Sequence, residues 1–511
     1  MILQRSFSSL GLLALVTLPL TAAWGQASPS PAAAGLAEHP ALEPASCIAP
    51  PKDAVTFVQT PGAPFTAIPS ADGCWVFVSL TSTREIAAFR RDGGELKLQY
   101  TVPLHEAPTG MVLTHDGQLL LAATGDSVTA VDVIALTRGN DHPSVYTIRG
   151  DQFDGAIYVN VTHDDGYLFV ANERGGTITV VNLKQARASG FKSSGIVGNI
   201  PAGEAPIAVT LSPDDKRLYS TSERASGHLA AGGARCDTEA PGEIEVIDVV
   251  RAEKDPAHSV LSLVPGGCEP VRLVLSDDGA IAYVTARGED KVLAFDTGRL
   301  ESDSARALLG QVPAGAAPVG LAIGAGRLIV ASSNRFGAPS APQRLTILDS
   351  NWQTWRHGSV LTAEVRAGSF PREERLSPDG KTVYVTNFTS NQLEMVDLTR
   401  LPPLAAQTAP ESAGPTQPLL PTAISLSADV LAKYVGNYQL APNFAIAITL
   451  SGDQLSEQAT GQAAFPIFPD SKTEFFLKVV DAKISFEEDS AGKVTGFVFH
   501  QGGHDLPGKK E

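Results

Sequence analysis

At 511 residues, with 43% hydrophobic and 18% charged side chains, the chain has the material for a large core and is excluded from the disordered class. Its 39 basic and 55 acidic residues leave a formal charge of −16, which repels a phosphate backbone or an anionic leaflet and so argues against nucleic-acid or membrane-surface partners. Forty-seven glycines, 36 prolines and only 6% aromatics describe a turn-rich, all-β chain rather than a helix bundle.

In chain order, residues 1–27 read as a secretory signal peptide. Arg5 precedes an apolar run from Leu10 to Leu20, and small residues follow at Ala22, Ala23 and Ala27. The run is too short to cross a bilayer and no second long apolar run occurs, so a secreted or periplasmic protein without a membrane span is expected. Residues 28–52 form a Pro/Ala-rich segment. The four cysteines, Cys47, Cys74, Cys236 and Cys268, show no CxxC spacing, which leaves zinc, haem attachment and thioredoxin-like chemistry without support. In an oxidising compartment they are expected to pair in sequence, Cys47 with Cys74 and Cys236 with Cys268, each closed loop contributing about 3–4 kcal/mol.

From residue 53 to 401 one unit recurs: an apolar strand, a turn of the S-P-D-G type, a β-rich strand, a variable loop, and a strand ending in V-x-D. The turns begin at Ser70, Thr114, Thr162, Ser212, Ser276, Gly324 and Ser377, a spacing of 44 to 64 residues that fits four-stranded propeller blades. Seven units imply a closed seven-bladed β-propeller, because one blade cannot bury both of its faces and a ring can. The seventh unit lacks an outer strand. The segment AVTFVQTPGAPF, Ala54 to Phe65, matches the junctions SLVPGGCEPV and GQVPAGAAPV and is expected to supply it.

Within the last unit, SPDGKTVYVTNF contains Tyr384, Val385, Thr386 and Asn387. Degenerate copies stand at FVANE (Phe169 to Glu173), YSTSE (Tyr219 to Glu223) and YVTAR (Tyr283 to Arg287). These residues resemble the YVTN family of seven-bladed propellers, related to lactonase-like propellers. The resemblance covers about two thirds of the chain and implies the propeller fold. It leaves the chemistry open among lactonases, surface-layer proteins and propeller subunits of periplasmic dehydrogenases.

A proline-rich linker, residues 402–425, reads as extended and unstructured. Residues 426–511 then give about seven short alternating strands, with turns at Gly452-Asp453, Asp470-Ser471 and Ala491-Gly492, predicting a small antiparallel β-meander or partial barrel. Tyr434-Val435-Gly436-Asn437-Tyr438 and the turn Gly492-Lys493-Val494 resemble an uncharacterised domain at the C-terminus of secreted β-lactamase-like hydrolases. No S-x-x-K helix or G-x-S-x-G elbow accompanies it, so no nucleophilic serine can be named.

For a site, the inner strands are compared by their distance from the turn. Two residues before it stand Ile68, Val112, Asn160, Thr210, Val274, Ala322 and Arg375; four before it, Thr66, Gly110, Tyr158, Ala208, Arg272, Gly320 and Glu373. Strand side chains alternate, so these columns share one face, which holds most of the polar residues. The column three residues before the turn is apolar except for Glu374, a carboxylate that must be paired or have its pKa raised, with Arg372, Arg375 and Arg272 as its available partners.

Glu373, Glu374, Arg272 and Arg375 are therefore the candidate catalytic residues, one glutamate activating water and an arginine polarising an ester carbonyl. Tyr158, Asn160, Arg372, Glu106 and Glu204 are the candidate ligand-binding residues. Arg174, Arg224, Arg287 and Arg335 recur after the second strands. The aspartates of the turns, with His115 and His163, read as turn chemistry, and His500 and His504 as surface residues. The insertion in blade four, Glu223 to Glu243, is longer than an ordinary connection. The sequence requires no cofactor and names no metal ligands. The reading it favours is a binding platform for a protein partner or a small molecule. A lactonase-like hydrolase working at the central channel, and an accessory propeller of a periplasmic redox enzyme, are the alternatives.

Overall fold

The computed structural model describes Cys47 and residues 49–510, apart from 93, 139–141, 227–235, 237–240, 336–342, 358, 409–423, 442–443, 461–463, 478–481, 490–491 and 502–503. The segment read as a signal peptide lies outside the described residues, as does most of the blade-four insertion. Among the described residues no helix is long and apolar enough to cross a membrane.

Seven antiparallel sheets form the propeller, six of four strands and one of five. Their inner strands are Pro64–Pro69, Met111–Leu113, Ala156–Val161, Glu204–Leu211, Pro270–Leu275, Pro318–Gly324 and Pro371–Leu376. Six of the seven turns that follow, all but the one at Gly324, are braced by their own Ser or Thr and Asp. Ser377 Oγ donates to Asp379 Oδ1 at 2.6 Å, Thr114 Oγ1 to Asp116 at 2.6 Å and Ser212 Oγ to Asp214 at 2.7 Å, as a tight hairpin requires. The turns also lock to their neighbours: Asp165 accepts from the backbone N–H groups of His115 and Asp116 in the preceding blade, and Asp215 from that of His163.

The core lies between blades. Apolar side chains of adjacent sheets, such as Ile329, Ile347, Val383, Val385 and Val396 between blades six and seven, are buried together. Several inner strands open with a proline that follows a left-handed residue: Ala205, Glu269, Ala317 and Phe370 have φ between 46° and 56°. A register shift comes directly after each of these prolines. Such bulges re-aim the strand, and here they set which side chains face the central channel.

Val55–Gln59 forms the outer strand of blade seven, running antiparallel to Gln392–Asp397 with Val55 opposite Val396 and Gln59 opposite Gln392. A buried arginine on blade one reinforces this closure. Arg91 donates to Tyr384 Oη at 3.1 Å and Thr382 Oγ1 at 3.3 Å on blade seven, and to the carbonyl of Ala49 at 2.9 Å. The disulfide Cys47–Cys74, with Cα atoms 5.5 Å apart, ties the same leading segment to the turn of blade one. Cys236–Cys268, at 5.8 Å, joins Cys236 of the blade-four insertion to the end of that blade's outer strand, Val260–Cys268. Deleting residues 28–60 should therefore bare the edge of Gln392–Asp397 and yield aggregates in size-exclusion chromatography, whereas truncation after Thr408 should leave a monomeric propeller. The reverse outcome would mean that this strand does not close the ring.

One expectation changes and another is sharpened. The linker is not unstructured at its start, because Ala405–Thr408 pairs with Ser359–Arg366 as a fifth strand of blade six. Backbone pairing with an exposed edge needs no apolar pattern, so its sequence gave no strand signal. The C-terminal domain is a closed barrel of eight strands, sealed where Gly436–Ala441 meets His504–Lys510 (Tyr438 opposite Lys510, Gln439 opposite Lys509). That last strand, HDLPGKK, carries Pro507, Gly508 and two lysines and looks like a tail. The barrel interior is aromatic: Tyr434, Tyr438, Phe475, Phe486 and Phe497 are all buried.

Candidate functional site

The two polar columns do face the channel together, and their side chains from blades three, five and seven converge. Arg272 Nε donates to Glu373 Oε2 at 2.6 Å, Arg375 Nη1 to Glu373 Oε1 at 2.5 Å, and the Tyr158 hydroxyl to Glu373 Oε1 at 2.8 Å. Arg272 also donates to the carbonyl of Ile207 at 3.0 Å and stacks over the Tyr158 ring, with its guanidinium carbon 4.5 Å from the ring centroid. Burial pushes the Glu373 carboxyl up, while the Arg272 guanidinium pulls it back down. With three donors on two oxygens and its side chain buried, Glu373 holds an ion pair together.

Glu374 does not join this cluster. The expectation that Arg272, Arg372 and Arg375 serve it is corrected: the alternation that puts Glu373 into the channel turns Glu374 into the packing between blades six and seven. It is 1% exposed, and neither of its carboxylate oxygens has a hydrogen-bond partner among the described residues. Burial, then the charges of Glu373 and Glu394, hold its pKa well above the ordinary glutamate range, which favours the protonated form. Space for it comes from Gly320 on the neighbouring inner strand, where an added Cβ would stand 2.6 Å from Glu374 Oε2 and 2.8 Å from the carbonyl of Arg372.

Arg372 points elsewhere. Its guanidinium lies on the rings of Phe65, Phe388 and Phe370, at 3.9, 5.5 and 5.9 Å, and burial with the charges of Arg272 and Arg335 pulls its pKa down to about 9. It remains a cation at neutral pH. Where the inner strands begin, Arg287 is buried between Glu223 at 2.9 Å and Glu269 at 3.0 Å. Glu173 belongs to the same electrostatic neighbourhood, raised by desolvation and by Glu223 and lowered by Arg372, Arg335 and Arg287. Glu173 and Glu223 were missed as candidates, although they are the last residues of the motif copies FVANE and YSTSE.

The other loop residues stay apart. Arg174 pairs with Asp126 and Asp154 at the surface, Glu204 meets Arg224 at 3.4 Å, and Glu106 is exposed. In the barrel, His500 is not a lone surface residue. Its Nε2 lies 2.8 Å from Ser485 Oγ, which donates to Glu474 at 2.7 Å, an order that leaves the serine between acid and imidazole. The His504 side chain lies outside the described residues.

Above the Arg272–Glu373–Arg375 cluster, toward the turns, opens a cavity of about 440 Å³. Tyr158, Asn160, Arg272 and Arg375 line it, and apolar side chains such as Ile68, Met111, Val209 and Leu321 form its walls. Asn160 is spent within the fold: its Nδ2 donates to the Val209 carbonyl at 3.1 Å and its Oδ1 accepts from the backbone N–H of Val161 at 2.9 Å. Among the described residues, no group of three or more His, Cys, Asp or Glu side chains is arranged to hold a metal ion.

Comparisons with known proteins add the following. A family model described as a domain of unknown function (DUF3471) matches residues 420–510. No curated protein matches the chain. Among solved structures, the chain is similar to hydrazine synthase of Kuenenia stuttgartiensis at 20% identity and a TM-score of 0.49, covering 67% of this chain and 97% of that one. It is also similar to a chain of the mitotic checkpoint complex at 13% identity and a TM-score of 0.50, covering 68% of this chain and 91% of that one. At identities this low the likeness is one of fold alone.

Proposed function

We propose that the protein is a β-propeller binding platform whose small-ligand site is the cavity at the turn-side mouth of the central channel. The observation that carries this reading is the composition of that cavity, a concave apolar wall over a few fixed polar groups, which is how small-molecule sites are built. The hydrolase suggested by the sequence would use Glu373 or Glu374 to take a proton from water. Glu373 is occupied by three donors and Glu374 is buried away from the cavity, so neither is placed to do so. The two disulfides fit an extracellular or periplasmic protein. Membership of the YVTN propellers, the signal peptide at 1–27, and kinship of the barrel with a domain appended to secreted hydrolases belong to the same proposal, on the motifs quoted above.

The test fills the cavity. Val274 lines it and is partly exposed, so Val274→Trp should block it, with thermal unfolding checking that the blade packing it also touches is kept. The neutral dye N-phenylnaphthylamine should bind the unaltered chain with one-site fluorescence enhancement and should lose at least about tenfold in affinity on the variant. A dye that binds both forms equally would place ligand binding somewhere else.

A further inference from the structure

Resting on the reading of the cavity as a ligand site, the placement of its charges defines what it takes: the acidic residue of its lining, Asp277, is exposed in the turn of blade five, whereas the arginines stand at the floor. Two guanidiniums, Arg272 and Arg375, meet at its floor and share a single carboxylate, Glu373. No other carboxylate lies within salt-bridge distance of either one among the described residues. Arg272 is closed in, 7% exposed, with its Nε and Nη1 both engaged. Arg375 is different. Its Nη1 donates to Glu373 and to the carbonyl of Glu374, while its Nε and Nη2 make no hydrogen bond to any described residue, and its side chain is 29% exposed on the cavity wall.

The other polar groups at the floor are already committed. The Tyr158 hydroxyl donates to Glu373, the Asn160 amide to the Val209 carbonyl, and the Thr210 hydroxyl to the Leu273 carbonyl. Of the two guanidiniums, Arg375 is thus the one that presents a free Nε–Nη2 edge on the exposed cavity wall. Two parallel N–H groups on a planar cation match the two oxygens of a carboxylate. A phosphate dianion would bring a second negative charge and a third oxygen with nothing to meet them. Above this edge the walls are apolar and extend to the mouth, through Ile68, Met111, Val112, Val209, Leu275 and Leu321.

We infer that the cavity binds an amphiphilic monocarboxylate, with its carboxylate on the free edge of Arg375 and its alkyl or aryl body against the ring of apolar side chains.

The experiment is isothermal titration calorimetry on the full chain with three ligands of matched length: octanoate, octanol and octylamine. Octanoate should bind about tenfold or more tighter than octanol, the increment expected of charge-assisted hydrogen bonds, and octylamine should bind weakest. Arg375→Met should erase the preference for octanoate and leave octanol unchanged, and Arg375→Lys, which keeps the charge and loses the fork, should retain part of it. If octanoate binds no tighter than octanol, or octylamine binds tightest, the carboxylate assignment falls and the cavity remains a ligand site. If none of the three binds and the dye ignores Val274→Trp, the cavity reading itself falls. Should Arg375→Met fail to fold, the ranking of the three ligands on the unaltered protein still decides. A preference for octanoate that survives in folded Arg375→Met would overturn the role of Arg375.

Discussion

Replacing Glu373 with glutamine should cost about 3–5 kcal/mol of folding stability, read as a lower urea midpoint at unchanged slope. The reason is what the substitution leaves behind. Arg272 is buried, so removing the Glu373 charge strands a guanidinium that cannot give up its proton and has no other carboxylate within reach. Arg375 suffers less because its free edge is open to the cavity. A double variant, Glu373→Leu with Arg272→Met, should recover most of the loss, since replacing both members of a buried pair with apolar groups of similar size is often close to neutral. A loss below about 1 kcal/mol for Glu373→Gln would show that the channel floor is held by something other than this ion pair.

Replacing Glu374 with glutamine should have the opposite sign, and its size should depend on pH. Burial raises the pKa of Glu374 well above 4.5 in the folded chain, whereas in the unfolded chain it ionises near that ordinary value. A group whose folded pKa is raised lends its full stability below the unfolded pKa and loses it as pH climbs through the folded one. Near pH 4 the two forms should therefore be equally stable. By about pH 8 the glutamine form should be the more stable by roughly 1.4 kcal/mol for each pH unit that the unaltered protein has spent in that window. Glu245 and Glu394, whose pKa values burial pushes up to about 7, act in the same direction. The unaltered protein should thus lose stability between about pH 4.5 and 7, and Glu374→Gln should flatten that slope in part. Chemical denaturation at closely spaced pH values measures this directly. Identical curves for the two forms would mean that Glu374 ionises freely in the folded state.

Much of the fold was legible in the chain because local rules act locally. Each S-P-D-G turn except the one at Gly324 is braced by its own serine or threonine and aspartate, so its position can be read without knowing what packs around it. Counting the turns counted the blades. The closing strand was legible for the same reason, since Ala54 to Phe65 carries the pattern of an outer strand followed by a blade junction. The disulfides followed from sequence order, each lying across a loop that brings its ends together.

The site was only half legible, and the error with Glu374 shows why. Alternation along PREERLS already assigns Glu373 and Arg375 to one face and Glu374 to the other. Giving the arginines to Glu374 set aside that rule in favour of nearness along the chain. What no sequence rule supplied was the meeting of Tyr158, Arg272 and Glu373, which lie on blades three, five and seven and touch because a ring brings distant segments to one axis. The same holds for Arg91, buried between blades one and seven with its acceptors almost 300 residues away in the chain. The edge strand Ala405–Thr408 and the final barrel strand His504–Lys510 are further cases, since backbone pairing with an available edge leaves no side-chain signature. The sequence by itself determined the repeat, the turns, the number of blades and the cysteine pairing, each of which depends on short-range geometry. Tertiary structure alone decided which charges are paired, which carboxyl has its pKa raised and where a cavity opens, because burial and electrostatics depend on every neighbour the fold brings near.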